Sequence, residues 1–140
     1  MRLILRSAAA VICSCLFLCA CKPPAVQDSI VLVTEVDIRY NYKNTQLNRT
    51  YTNTDKIDVI LYYLYSLEPY GQPEEDPEQI RDDCCHITVY LSNGSSRSYR
   101  QQGSRYISVD FCPWQNISPT RAAILHHLLR HIESDRMEAT

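Results

Sequence analysis

Apolar and polar positions alternate along the first stretch of this chain that reads as folded. Ile30, Leu32, Val36, Ile38 and Tyr40 share one parity, and Glu35, Asp37, Arg39 and Asn41 the other. Period two with one polar face predicts a half-buried strand over 29–42. Lys43-Asn44-Thr45 follows as a turn and 47–52 as a returning strand. The period then changes. Ile57, Ile60, Leu61, Leu64 and Leu67 form one helical stripe. Asn53 or Thr54 stands at its cap, and Asp55 and Asp58 sit in its first turn, where negative charge suits the helix dipole. Pro69-Tyr70-Gly71 ends it and opens a loop over 69–83 that holds three of the seven prolines. Segments 87–91, 97–101 and 106–111 alternate again, the first two joined through Asn93-Gly94, a strong hairpin signal. Ser118-Pro119 places a cap residue before proline at a helix start. Leu125, Leu128, Leu129 and Ile132 give that last helix its buried stripe. The order ββαβββα predicts an α+β fold of two layers, an antiparallel sheet of about five strands with two helices on one face.

This arrangement constrains the cysteines of the folded part. Cys84 and Cys85 precede the first strand of the three-strand meander and Cys112 follows the third. First and third strands run the same way, so the two ends lie ~20 Å apart at ~3.3 Å per residue. A disulfide needs Cα atoms within about 7 Å. Cys112 is therefore expected to bond neither Cys84 nor Cys85.

The remaining four of seven cysteines lie in the first 21 residues. Arg2 and Arg6 precede an apolar run over 7–18, which is the layout of a secretory signal and short of the ~20 residues that span a bilayer. Leu18-Cys19-Ala20-Cys21 closes the run. An ordinary signal cleavage after Ala20 would meet Leu18 where a small residue is wanted. The tetrapeptide resembles the bacterial lipobox, departing from its commonest form at Cys19; Ile12-Cys13-Ser14-Cys15 would leave too short an apolar core. The resemblance implies removal of residues 1–20 as a lipoprotein signal peptide and a diacylglyceryl thioether on Cys21. It also implies a palmitate-type acyl chain on the new amine in Gram-negative cells. Residues 21–28, with Pro23 and Pro24, then form the lipidated cysteine and a tether, ahead of a single domain over 29–140. Two or three acyl chains make a stable anchor. The expected location is the extracytoplasmic face of a cell membrane, the outer membrane in a Gram-negative host given Lys22 after the cysteine. The rival origin is a eukaryotic secreted protein, for which Asn48-Arg49-Thr50, Asn93-Gly94-Ser95 and Asn116-Ile117-Ser118 are glycosylation sequons.

Charge changes the picture little. Removing residues 1–20 takes away Arg2 and Arg6 and no acid, so the formal charge moves from −2 to −4. A mildly acidic domain without a basic stripe argues against nucleic acid as a partner.

Candidate chemistry is sparse. His127 and His131 lie four apart on the last helix, away from its apolar stripe, a spacing that holds zinc only with further ligands. Cys84 and His86 point the same way on a strand, the minimum for a thiol enzyme, without a legible oxyanion site. Residues 74–83 carry six acids and no EF-hand spacing, a solvated loop. Trp114 reads as a plug under the strand-to-helix loop. Tyr90 and Tyr106, two of ten tyrosines, fall out of phase with the apolar positions of their strands and are expected on the uncovered sheet face. Tyrosine beside Ser and Thr suits recognition of protein or sugar. The sequence thus leads to a membrane-anchored binding or accessory domain without catalysis or cofactor. Its partners would be the membrane, through Cys21, and an envelope protein or glycan. The alternatives are a small metal- or thiol-dependent enzyme using His127/His131 or Cys84/His86, and an inhibitor or immunity-type lipoprotein.

Overall fold

The computed structural model describes residues 31–43 and 45–136. The lipobox, Cys21 and the tether over 21–28 lie outside the described residues. Two strands, β1 (Val33–Tyr42) and β2 (Thr45–Tyr51), pair antiparallel around Lys43, whose φ of 44° sits in the left-handed region of a tight hairpin. Helix α1 (Thr54–Ser66) starts where Asn53 caps it, its side-chain oxygen accepting from the Asp55 and Lys56 amides. Strands β3 (Cys84–Leu91), β4 (Ser96–Gln102) and β5 (Tyr106–Val109) form the meander, and a two-residue strand, β6 (Gln115–Asn116), extends it. The sheet order is β2-β1-β3-β4-β5-β6, every neighbour antiparallel. The fold is α+β, with six strands among the described residues.

One face of the sheet holds the core. Val36, Ile38, Cys85, Ile87, Val89 and Ile107 meet Ile57, Ile60, Tyr63 and Leu64 of α1 and Leu125, Leu128 and Leu129 of the last helix. Each large aliphatic side chain buried this way contributes about 1.5–3 kcal/mol. The expected stripe on α1 is there, with Leu61 only half-buried and Tyr63 added. The expected last helix is divided into α2 (Pro119–Ala122) and α3 (Ile124–His131) at Ala123, where ψ of −20° tightens the turn. Its four apolar positions still face the sheet.

Two details depart from the expected elements. Strand β5 stops at Val109, because Asp110 and Phe111 take φ of 50° and 60° and turn the chain away. The residues after α3 fold back along β2. The Thr50 amide donates to Ser134 Oγ, the Asp135 amide to Thr50 O, and Asp135 Oδ2 accepts from the Thr52 and Asn53 amides. This strap occupies backbone groups that an edge strand would otherwise present. No disulfide joins Cys84, Cys85 and Cys112. The register sets Cys84 beside Gln102 and, through it, Tyr106 at the start of β5, so Cys112 lies beyond the strand's other end. Among the described residues no helix is long and apolar enough to cross a membrane.

Candidate functional site

The face of the sheet opposite the helices is floored by polar side chains in rows fixed by the strand register. Glu35, Tyr90 and Ser96 form one row across β1, β3 and β4, and Asp37, Thr88 and Ser98 the next. Then come Arg39, His86, Arg100 and Ser108, followed by Asn41, Cys84, Gln102 and Tyr106. Neighbouring strands lie about 4.8 Å apart, so Arg39 and Arg100 flank His86 directly.

Two segments rise from this floor. The loop between α1 and β3 folds onto it through a single 3-10 turn, Pro77–Gln79, with Pro77 buried. Gln102 Nε2 donates to the carbonyls of Ile80 and Asp82, Tyr106 donates to Glu75 (2.6 Å), and Arg100 reaches Glu78 (3.4 Å). The acidic stretch is thus held to the sheet by its carboxylates and carbonyls. The chain after β5 supplies the second wall. Trp114 and Phe111 place their rings 4.9 Å and 5.3 Å from the Arg100 guanidinium carbon. Contacts of this kind hold a cation against aromatic faces. Trp114 therefore packs on the open face of the sheet, not as a plug under the loop before α2. Between these walls lies a concavity of about 460 Å³, lined by Arg39, Asn41, His86, Arg100, Gln102 and Trp114 among others.

The backbone is strained at the wall. A positive φ is tolerated by Asp110, whose carboxylate accepts from the Ser98 amide (2.8 Å) and Arg97 Nε (3.1 Å). It is costly for Phe111, by about 1–3 kcal/mol, and Phe111 is 72% exposed, so no burial of its ring offsets the cost. Electrostatics follow the row. Burial, then Arg39, then Arg100 lower the His86 pKa from its ordinary value, which favours the neutral ring. His86 Nε2 and Ser98 Oγ share a hydrogen bond of 2.7 Å. Arg100 donates to Ser108 Oγ (3.2 Å) and keeps a buried Nε that meets no hydrogen-bond partner among the described residues.

The residues singled out by sequence fare unequally. Tyr90 is on the open face and 38% exposed, with partial burial and the Asp37 carboxylate raising its pKa. Tyr106 has the expected parity but is only 7% exposed, because the loop carrying Glu75 covers it; the expectation of an exposed ring there is corrected. Cys84 and His86 share the face, yet the imidazole bonds Ser98, and the thiol sulfur accepts from Asn41 at 3.4 Å. Cys85 is turned into the core, where burial pushes its thiol pKa far up. His127 and His131 are exposed with ring centres 4.3 Å apart, and no group of three or more potential metal ligands forms among the described residues. Cys21 lies outside them.

Sequence reasoning passed over Arg39, Arg100 and Phe111. Arg39 and Arg100 share their strands' polar parity with His86, a legible signal, but their alignment needs two strand registers that alternation does not supply. Comparison with protein-family models, curated proteins and solved structures finds no match to this chain.

Proposed function

We propose that this chain is a lipid-anchored, extracytoplasmic binding or accessory domain that meets its partner with the open face of its sheet. The observation that carries this reading is the walled concavity on that face, lined by Arg39, His86 and Trp114 among others, with Tyr90 exposed on the same face two rows from His86. A sheet face intended only for solvent needs neither walls nor a strained, exposed aromatic beside them. The lipobox resemblance sets the topology. An anchor at Cys21 leaves a short tether, so the domain works within a few nanometres of a membrane surface.

Two measurements test the reading. Intact-mass analysis of the mature chain should give a start at Cys21 carrying diacylglycerol; a start at an unacylated residue overturns the anchor. Photo-crosslinking from position 90 in the intact cell envelope should capture a discrete partner. Tyr90→Ala should reduce pull-down of that partner several-fold, and undiminished capture overturns the assignment of the open face.

A further inference from the structure

Arg39, His86 and Arg100 stand side by side on three adjacent strands. Burial and then the two flanking arginines disfavour a charged His86 between them, so stability alone does not select this row. The acids near it leave it unbalanced. Asp37 lies one row away on β1 and accepts from Thr50, and Asp110 is paired with Arg97. Among the described residues the Glu78 carboxylate pairs with Arg100 alone, at 3.4 Å, and is itself 60% exposed. Arg39 makes no ion pair or hydrogen bond through its side chain among the described residues.

Arg100 is prepared differently. Its guanidinium lies against Trp114 and Phe111, which limits its rotation, and one terminal nitrogen points to a carboxylate that solvent also reaches. With Nη2 donating to Ser108 and Nε buried, a guanidinium held in this way leaves Nη1 as the donor it offers to a carboxylate. Glu78 shows in the molecule itself the kind of group that this nitrogen meets, through one loose contact at 3.4 Å.

Resting on the reading of the open face as the contact surface, we propose that the concavity bounded by Arg39, His86, Arg100 and Trp114 is a binding site for a carboxylate-bearing ligand. The ligand's carboxylate takes the place of Glu78 at Arg100 and is shared with Arg39, while its body lies along Trp114. The volume, about 460 Å³, suits a small organic acid or one acidic residue of a larger partner. His86 reports occupancy. The groups that face it are Arg39 and Asp37 from β1, Arg100 and Ser98 from β4, Glu78 from the loop and Cys84 on its own strand. A bound carboxylate offsets the two arginines, so binding favours the imidazolium and takes up a proton. Affinity therefore rises as pH falls toward and below the ordinary histidine range, as long as the ligand's own carboxylates stay ionised.

The test follows the His86 ring resonances by NMR in the full chain in detergent micelles, at constant ionic strength, while succinate is added. The expected result is a saturable shift and a His86 titration midpoint moved to higher pH. Arg39→Gln, at an exposed position, should weaken the succinate response about tenfold with an unchanged amide spectrum. Glu78→Gln should strengthen it by removing the internal competitor. Sulfate, which stays a dianion over this range, should act more weakly than succinate. No saturable shift, or an undiminished response in Arg39→Gln, overturns the site; sulfate binding more tightly than succinate overturns its carboxylate chemistry. Neither result touches the crosslink from position 90 or the Tyr90→Ala pull-down, so the contact surface stands or falls separately.

Discussion

Tyr63 and Gln101 show how a single pair can tie the two layers together. Gln101 is the most polar side chain of the core, 6% exposed on β4, and Tyr63 is 2% exposed on α1. The Tyr63 hydroxyl donates to Gln101 Oε1, and Gln101 Nε2 donates to Gly103 O (2.9 Å), so no polar atom of the amide is left unmet. Burial pushes the phenol's pKa far above its ordinary value, and Tyr63 stays neutral at any physiological pH. Neither residue is legible as core from the sequence: Tyr63 lies outside the Leu/Ile stripe, and Gln101 resembles any polar strand end. Their burial becomes sensible only once helix and strand are superposed, which is a tertiary fact. Tyr63→Phe keeps the ring and strands the amide oxygen, and should cost about 1–3 kcal/mol in urea denaturation. Tyr63→Phe with Gln101→Leu should lose clearly less than the two single changes added, because the pair then disappears together.

Hairpin β3–β4 decides at the level of elements which residues form the candidate site. Asn93-Gly94 suggests a two-residue turn, which would set Ser92 opposite Ser95 and His86 opposite Gln101. The observed turn is one residue longer. The Gly94 amide donates to Leu91 O, the Leu91 amide to Ser95 O, and Gly94 takes φ of 83°, so Tyr90 opposes Ser96 and His86 opposes Arg100. Helices, strands and their order were legible from period and caps, because those signals are local. Register was not: a one-residue difference in a turn exchanges every cross-strand neighbour. The pairing of β1 with β3, which adds Arg39 to the row, spans a whole helix and a loop and leaves no local mark at all. Gly94 tests the turn directly. A Cβ there meets nothing within 4 Å, so Gly94→Ala carries only the backbone penalty and should destabilise by about 1–2 kcal/mol in thermal or urea unfolding. Gly94→Asn should lose less, since asparagine tolerates the left-handed region.

The molecule as a whole joins two charge centres with opposite parts in its stability. The strap that closes the sheet edge is fixed by Asp135, whose carboxylate accepts from Lys56, Asn53 and Thr52, interactions that hold its pKa down from 3.8 to about 2. A folded pKa below the unfolded one means that the unfolded chain binds more protons between the two values. The contribution of Asp135 is therefore complete above about 4 and disappears as pH falls through about 2. His86 follows the same sign in a different window. Burial first, then Arg39 and Arg100, put its folded pKa below the ordinary 6.5, so charging the ring opposes folding, and stability declines as pH drops from about 6.5 to the lower folded value. The melting temperature of the full chain should then begin to fall as pH drops below about 6.5 and fall again as pH passes through about 2. His86→Gln should flatten the stage near neutrality and leave the acid one intact. Asp135→Asn should start from a lower melting temperature at pH 7, with the gap to the native chain narrowing between pH 4 and 2. Succinate at a fixed concentration that saturates the native chain should soften the neutral stage there and soften it less in Arg39→Gln, where binding is about tenfold weaker. A single acid transition, indifferent to position 86, would place the charge conflict of the open face outside the energetics of folding.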